Sequence, residues 1–177
     1  MENMVGMHPA APASEVTIDT ASRRQRKAKA ASEPTPQFGA LPWRTVEGGR
    51  IEVLLISSRD TGRWIIPKGW PIAGRTGAET AAIEAFEEAG LKGEPGAAAI
   101  GSFDYRKCDK RRPDRLCRVT VYPFRVEEEL PDWPEKAERT LCWLAPLQAA
   151  DRVDDAGLAT LIRHFAGVDP LAGARPD

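Results

Sequence analysis

The chain has 177 residues, 42% of them hydrophobic and 29% charged, which is enough apolar content for one globular domain with a proper core. Its net charge of −1 excludes a strong whole-molecule pull on nucleic acid or acidic membranes, so attraction for an anion must come from local clusters. Two histidines (His8, His164) and three separated cysteines (Cys108, Cys117, Cys142) argue against a disulfide framework, a zinc knuckle or a Ser-His-Asp triad.

Residues 1–36 are rich in Ala, Pro, Ser and charge without periodicity and read as a flexible tail. Arg23, Arg24, Arg26, Lys27 and Lys29 make a basic cluster there, which suits a solvated tail better than a docking arm. No apolar run is long enough to span a bilayer, and the N-terminus lacks the apolar core of a signal peptide. The expectation is a cytoplasmic protein with no membrane partner.

Order is expected from near Phe38, and the domain over 37–166, with a short C-terminal tail at 167–177. Ile51 to Ser57 reads as a buried strand and Arg63 to Ile66 as a shorter one. Pro67-Lys68-Gly69-Trp70-Pro71 is rich in breakers and reads as loop. Thr76 and Glu79 have capping-box spacing, so a helix opens at Thr76 and closes at Gly90 as its left-handed cap. Strands follow at Ala98–Tyr105 and Leu116–Val126 around a basic loop. Glu127–Glu138 reads as acidic loop, Thr140–Leu144 as strand, and 146–151 and 155–166 as helices. The pattern is α/β (α+β): a mixed sheet with helices in one domain.

Within the helix, Ala82, Ala85, Phe86 and Ala89 are expected to turn inward. Glu84, Glu87 and Glu88 stand at i, i+3 and i+4, so their carboxylates share a face. Like charges at that spacing repel by about 0.2–0.5 kcal/mol per pair, and the C-terminal half of a helix disfavours anions. A divalent cation with hard oxygen ligands removes the conflict. If the triplet stood alone, a solvated acidic face would explain it better.

It does not stand alone. From Gly69 the chain reads GWPIAGRTGAETAAIEAFEEAGL, which resembles the Nudix box, G-x5-E-x7-R-E-U-x-E-E-x-G-U with U apolar. Gly69, Glu84, Glu87, Glu88, Gly90 and Leu91 fall in register, and Ala85 fills an apolar slot. The early Glu of the pattern is Arg75 here and its Arg is Ile83. In the family those two residues pair and orient the metal-binding helix, so that support is missing. SSRDTGRWIIPKGW before the box and DWPEKAERTLCWL after it are similar to the diphosphoinositol-polyphosphate and diadenosine-polyphosphate branch of the Nudix hydrolases.

The resemblance implies an α/β/α sandwich and hydrolysis of a phosphoanhydride in a small-molecule polyphosphate. It implies Mg2+, with Mn2+ as an alternative, held by Glu84, Glu87, Glu88 and the Gly69 carbonyl. A glutamate of the box is the first candidate for the general base. Arg59, Arg63 and Lys68 lie on the approach to the box, and Arg112 and Arg115 belong to a basic run from Lys107 to Arg118. Both phosphate contact and ordinary surface charge fit these residues. Arg139 stands where this branch often carries a phosphate-contacting base. Trp64 and Trp70 could stack on a base or simply pack. A nucleotide-pool sanitiser, a nucleotide-sugar pyrophosphatase and a non-catalytic ligand-binding regulator remain open within the same fold. A nucleic-acid module is disfavoured, because no aromatic cluster accompanies the charge. Nothing in the sequence speaks for a particular oligomeric state.

Overall fold

The computed structural model describes residues 33–109 and 112–167. The segment from Pro34 onward forms one compact unit. Eight strands make one mixed sheet: β1 (Thr35–Val46), β2 (Arg50–Ser57), β3 (Trp64–Ile65), β4 (Lys68–Gly69), β5 (Leu91–Pro95), β6 (Gly101–Asp109), β7 (Arg112–Glu129) and β8 (Leu141–Leu144). Among the described residues three α-helices accompany it: α1 (Gly77–Ala89), α2 (Pro146–Arg152) and α3 (Ala156–Gly167). β1 runs parallel to β7 and antiparallel to β2 and β4.

The sheet is covered on both faces, which is why β2 reads VLLI without alternation. Val53 and Leu55 point to one side, with Leu41, Trp43, Val119, Ile162 and Phe165, under α2 and α3. Leu54 and Ile56 point to the other, with Phe124, Ala81, Ala85 and Ala89 of α1. The layers are therefore helix, sheet and helix pair.

Several expectations are corrected. β1 is a central strand although its sequence, TPQFGALPWRTV, carries two prolines. Pro42 has no amide to donate, which ordinarily argues against a central strand. It falls between Ala40, whose amide donates to the Pro67 carbonyl, and Trp43, where the ladder with β2 begins. The supposed loop at Pro67–Pro71 contains β4, because Lys68 and Gly69 pair with Gly39 and Phe38 of β1. β5 was not legible: LKGEP is short and polar, and a register shift interrupts its pairing at Lys92/Gly93. Glu127–Glu129 extend β7 instead of opening a loop. Their charges are met by Arg125, Lys92 and Arg44, so the acids can stay on a strand.

The helix itself forms as its sequence directs. Thr76 accepts the Glu79 amide, and the Glu79 carboxylate takes the Thr76 amide. Gly90 sits at φ 67° and ψ 30° and donates its amide to the Phe86 carbonyl. Its buried face includes the expected Ala85 and Ala89 but takes Ala81 and not Phe86. Ala81, Ala85 and Ala89, spaced i, i+4 and i+8, lie against the sheet, while Phe86 is 39% exposed. Small side chains let the helix approach the sheet closely, and a phenyl ring would hold it off. That rotation also carries Glu88 inward, to 7% exposure.

Candidate active site

A cleft of about 740 Å3 opens beside α1, lined by Glu84, Glu87, Glu88, Lys68 and Gly69 among others. β4 places Gly69 directly against the helix. A Cβ at Gly69 would overlap the Glu84 carboxylate, so only glycine lets this carboxylate lie on the strand backbone. The sequence-selected Gly69 and Glu84 thus meet through the β4 pairing.

The three glutamates have different environments. Glu87 is exposed. Glu84 is half-buried, and burial, with the Glu88 and Glu87 charges, pushes its carboxyl up to about 7. Glu88 is the buried one. One of its oxygens accepts the Lys68 amide at 3.0 Å, and the other forms an ion pair with Arg139. Burial raises its carboxyl above the ordinary range, with Lys68 and Arg139 pulling the other way. The Lys68 ammonium is lowered by its own burial and partly restored by Glu88.

The basic residues divide into two groups. Arg139, with a side chain 3% exposed, gives its fork to Glu88, to Glu135 and to the Ser57 carbonyl at 3.0 Å. The sequence suggested phosphate contact for it, but here protein acceptors take those donors. Arg59 binds Glu135 at 3.1 Å and Glu138 at 3.2 Å. Arg63, Arg106 and Lys107 line the cleft and make no acidic pair among the described residues. Arg115 lies beside the cleft with its guanidinium 5.6 Å from the Trp70 ring, and Lys107 lies 5.2 Å from the same ring. Lys110, Arg111 and the side chain of Arg112 lie outside the described residues. Trp70 is 38% exposed at the cleft, whereas Trp64 is half-buried beneath Arg152.

Sequence reasoning missed Glu135, Tyr105 and Gln37. Glu135 fixes Arg139 and Arg59. The Tyr105 hydroxyl donates to Gln37 at 2.7 Å inside the cleft, beneath the Lys68 ammonium. No local motif marks these residues, because their partners lie far along the chain.

Among the described residues no three His, Cys, Asp or Glu side chains already converge as a finished metal cage. The donor chemistry nevertheless fits a hard cation. Glu84 and Glu87 have no hydrogen-bond donor among the described residues, and burial, then the neighbouring Glu88 and Glu87 charges, disfavour the ionised Glu84 when no cation is bound. Glu88 keeps acceptor capacity beyond its two bonds, since an ionised carboxylate has about four lone-pair sites.

The glutamate helix, the Gly69 backbone and the cleft cations Arg63, Arg106 and Lys107, which have no acidic partner among the described residues, thus share one cleft. The NUDIX domain matches residues 34–165, and the chain belongs to that family. It is a hydrolase of this class, whose members act on pyrophosphate bonds and generally use divalent cations. It is 35% identical over 125 residues to Nudix hydrolase 16, mitochondrial, of Arabidopsis thaliana, covering 64% of this chain and 69% of the relative. It is 40% identical over 85 residues to diphosphoinositol polyphosphate phosphohydrolase 3-beta of Bos taurus, covering 48% of each. The chain therefore spans between about half and about two thirds of the length of these relatives. The crystal structure of an Ap4A hydrolase from C. elegans shares the fold at a TM-score of 0.58 and 20% identity, covering 76% of this chain and 98% of that one. Among the described residues no helix is long and apolar enough to cross a membrane.

Proposed function

We propose that the protein hydrolyses a phosphoanhydride bond in a small polyphosphorylated molecule, of the diadenosine-polyphosphate or diphosphoinositol-polyphosphate type, with Mg2+ or Mn2+. The carrying observation is the meeting of Glu84 with the Gly69 backbone in a cleft that Arg63, Arg106 and Lys107 also line, none of the three with an acidic partner among the described residues. Cations beside carboxylates in one cleft suit a ligand that brings anionic oxygens and a cation together.

Glu84, Glu87, Glu88 and the Gly69 carbonyl would hold the ion. When bound, the ion would neutralise phosphate charge and make an attacking water more acidic. The chain's own residues do the rest. Arg63, Lys107 and Arg115 hold the phosphates at the cleft. Lys68, on β4 and in the lining of the cleft, offsets the negative charge of the site. A glutamate of this helix, Glu84, Glu87 or Glu88, would accept a proton from water. Names of relatives and the 85-residue match favour a polyphosphate over a nucleotide sugar. A cytoplasmic location is part of the same reading, although Nudix hydrolases 16 and 12 of Arabidopsis thaliana are named mitochondrial.

The test is a panel of diadenosine polyphosphates, inositol pyrophosphates, nucleoside triphosphates and ADP-ribose, each with Mg2+ and with EDTA. Phosphate-containing products are expected to form from the first two classes only with metal, and to fall by at least about a hundredfold in Glu84→Gln. Equal, near-zero turnover by wild type and Glu84→Gln on every substrate would sink the proposal.

A further inference from the structure

The box lacks its internal orienting pair. Arg75 lies 3.6 Å from Glu79 on an exposed face, and Ile83 carries no charge. Yet Glu88 is the most tightly held of the three glutamates. Its two oxygens are fixed from two different elements, the Lys68 amide on β4 and Arg139 after the 3-10 turn at Lys136–Glu138.

Arg139 is itself fixed. Its Nε donates to Glu135 at 2.9 Å and its Nη1 to the Ser57 carbonyl at 3.0 Å, so the planar fork has one orientation left for Glu88. Glu135 is held in turn by Arg59, and its amide donates to the Glu87 carbonyl at 3.1 Å. A four-residue strut, Arg59–Glu135–Arg139–Glu88, thus runs from the loop before β3 to the helix.

We propose that Arg139, aimed by Glu135 and the Ser57 carbonyl, is the positioning residue for Glu88, supplying from outside the box the orientation that Arg75 and Ile83 cannot. Its purpose rests on the metal-dependent reading above. A side chain 3% exposed, with its donors taken by protein acceptors, orients a carboxylate better than it receives a substrate phosphate. Partners of this kind typically change metal affinity or activity by about 10–100-fold.

The test has a metal-free arm and a metal arm, on the full chain. The Lys68 amide donates to Glu88 and so reports its position. Hydrogen exchange of that amide is expected to speed about tenfold in Glu135→Gln and in Arg139→Met, and no further in the double variant, because both act through one contact. Amides of Leu54 and Leu55 in the core should keep wild-type exchange. In the metal arm, Mn2+ titration should show about tenfold weaker binding by Glu135→Gln, which leaves the Arg139 charge in place. Unchanged Lys68 exchange in both single variants, additive effects in the double, or a rise across the whole sheet would overturn this inference. A wild-type protein that takes up no Mn2+ would instead overturn the proposed function.

Discussion

Glu84 shows how one residue's surroundings set its chemistry. Its carboxyl is pushed up to about 7 from an ordinary 4.5, first by burial and then by Glu88 and Glu87. The folded state therefore favours the neutral acid. The stabilisation this gives is complete below about pH 4.5 and is lost as pH rises through about 7. Glu84→Gln keeps a neutral group of the same shape. In EDTA at pH 8 this variant should be more stable than wild type by about 1–2 kcal/mol after allowance for screening, with a melting temperature higher by roughly 5 °C. At pH 4 the two should melt together. Thermal melts across that range check the prediction, and an equal difference at both pH values would count against it. The same substitution that stabilises the empty fold should abolish turnover, which is the usual opposition between a site's stability and its use.

At the scale of elements, α1 is held at each end by a different device. The capping box at Thr76 is local, and Thr76→Ala should lower stability by about 1 kcal/mol. Gly90 combines a left-handed backbone with the Trp133 ring, which a Cβ would meet at 2.6 Å. Gly90→Ala should therefore be the more damaging, by about 2–3 kcal/mol, since it adds backbone strain to a displaced indole. Urea midpoints of the two variants would rank them, and a milder Gly90→Ala would show that Trp133 moves aside freely. The helix was legible because both of its ends are written in adjacent residues. β1 was not, since Pro36, Gly39 and Pro42 break every local strand signal and only the handover from β4 to β2 accommodates them. Phe86 was placed inward on hydrophobicity alone, and the alanine stripe shows that available depth decides. The glutamates could be read from spacing. The Glu88 partners, the Lys68 amide and Arg139, could not be read as partners, because contacts between residues far apart in the chain leave no periodic trace.

Across the whole molecule, a near-neutral chain gathers six basic and eight acidic side chains around one cleft, an arrangement that no net charge reveals. Under the proposed function, Arg63→Glu and Lys107→Glu should each raise KM for a polyphosphate about tenfold with little change in kcat. The penalty should shrink as salt rises past about 0.5 M, where the screening length falls below about 5 Å. Arg163→Glu, on α3 and paired with Asp151, should leave KM unchanged. Steady-state kinetics over a salt series checks all three, and equal effects from Arg163→Glu would refute local steering.

The loop that seats the helix has a further consequence for how the protein is made. Leu130 donates to the Gly90 carbonyl and Glu135 to that of Glu87, so the last turn of α1 borrows its partners from chain that comes much later. Glu88 and Arg139 are 51 residues apart. At about 5–20 residues per second, a ribosome releases the second roughly 3–10 s after the first. During that interval the motif exists without its anchor. A nascent chain halted before Arg139 would carry every glutamate of the site and still lack a fixed Glu88.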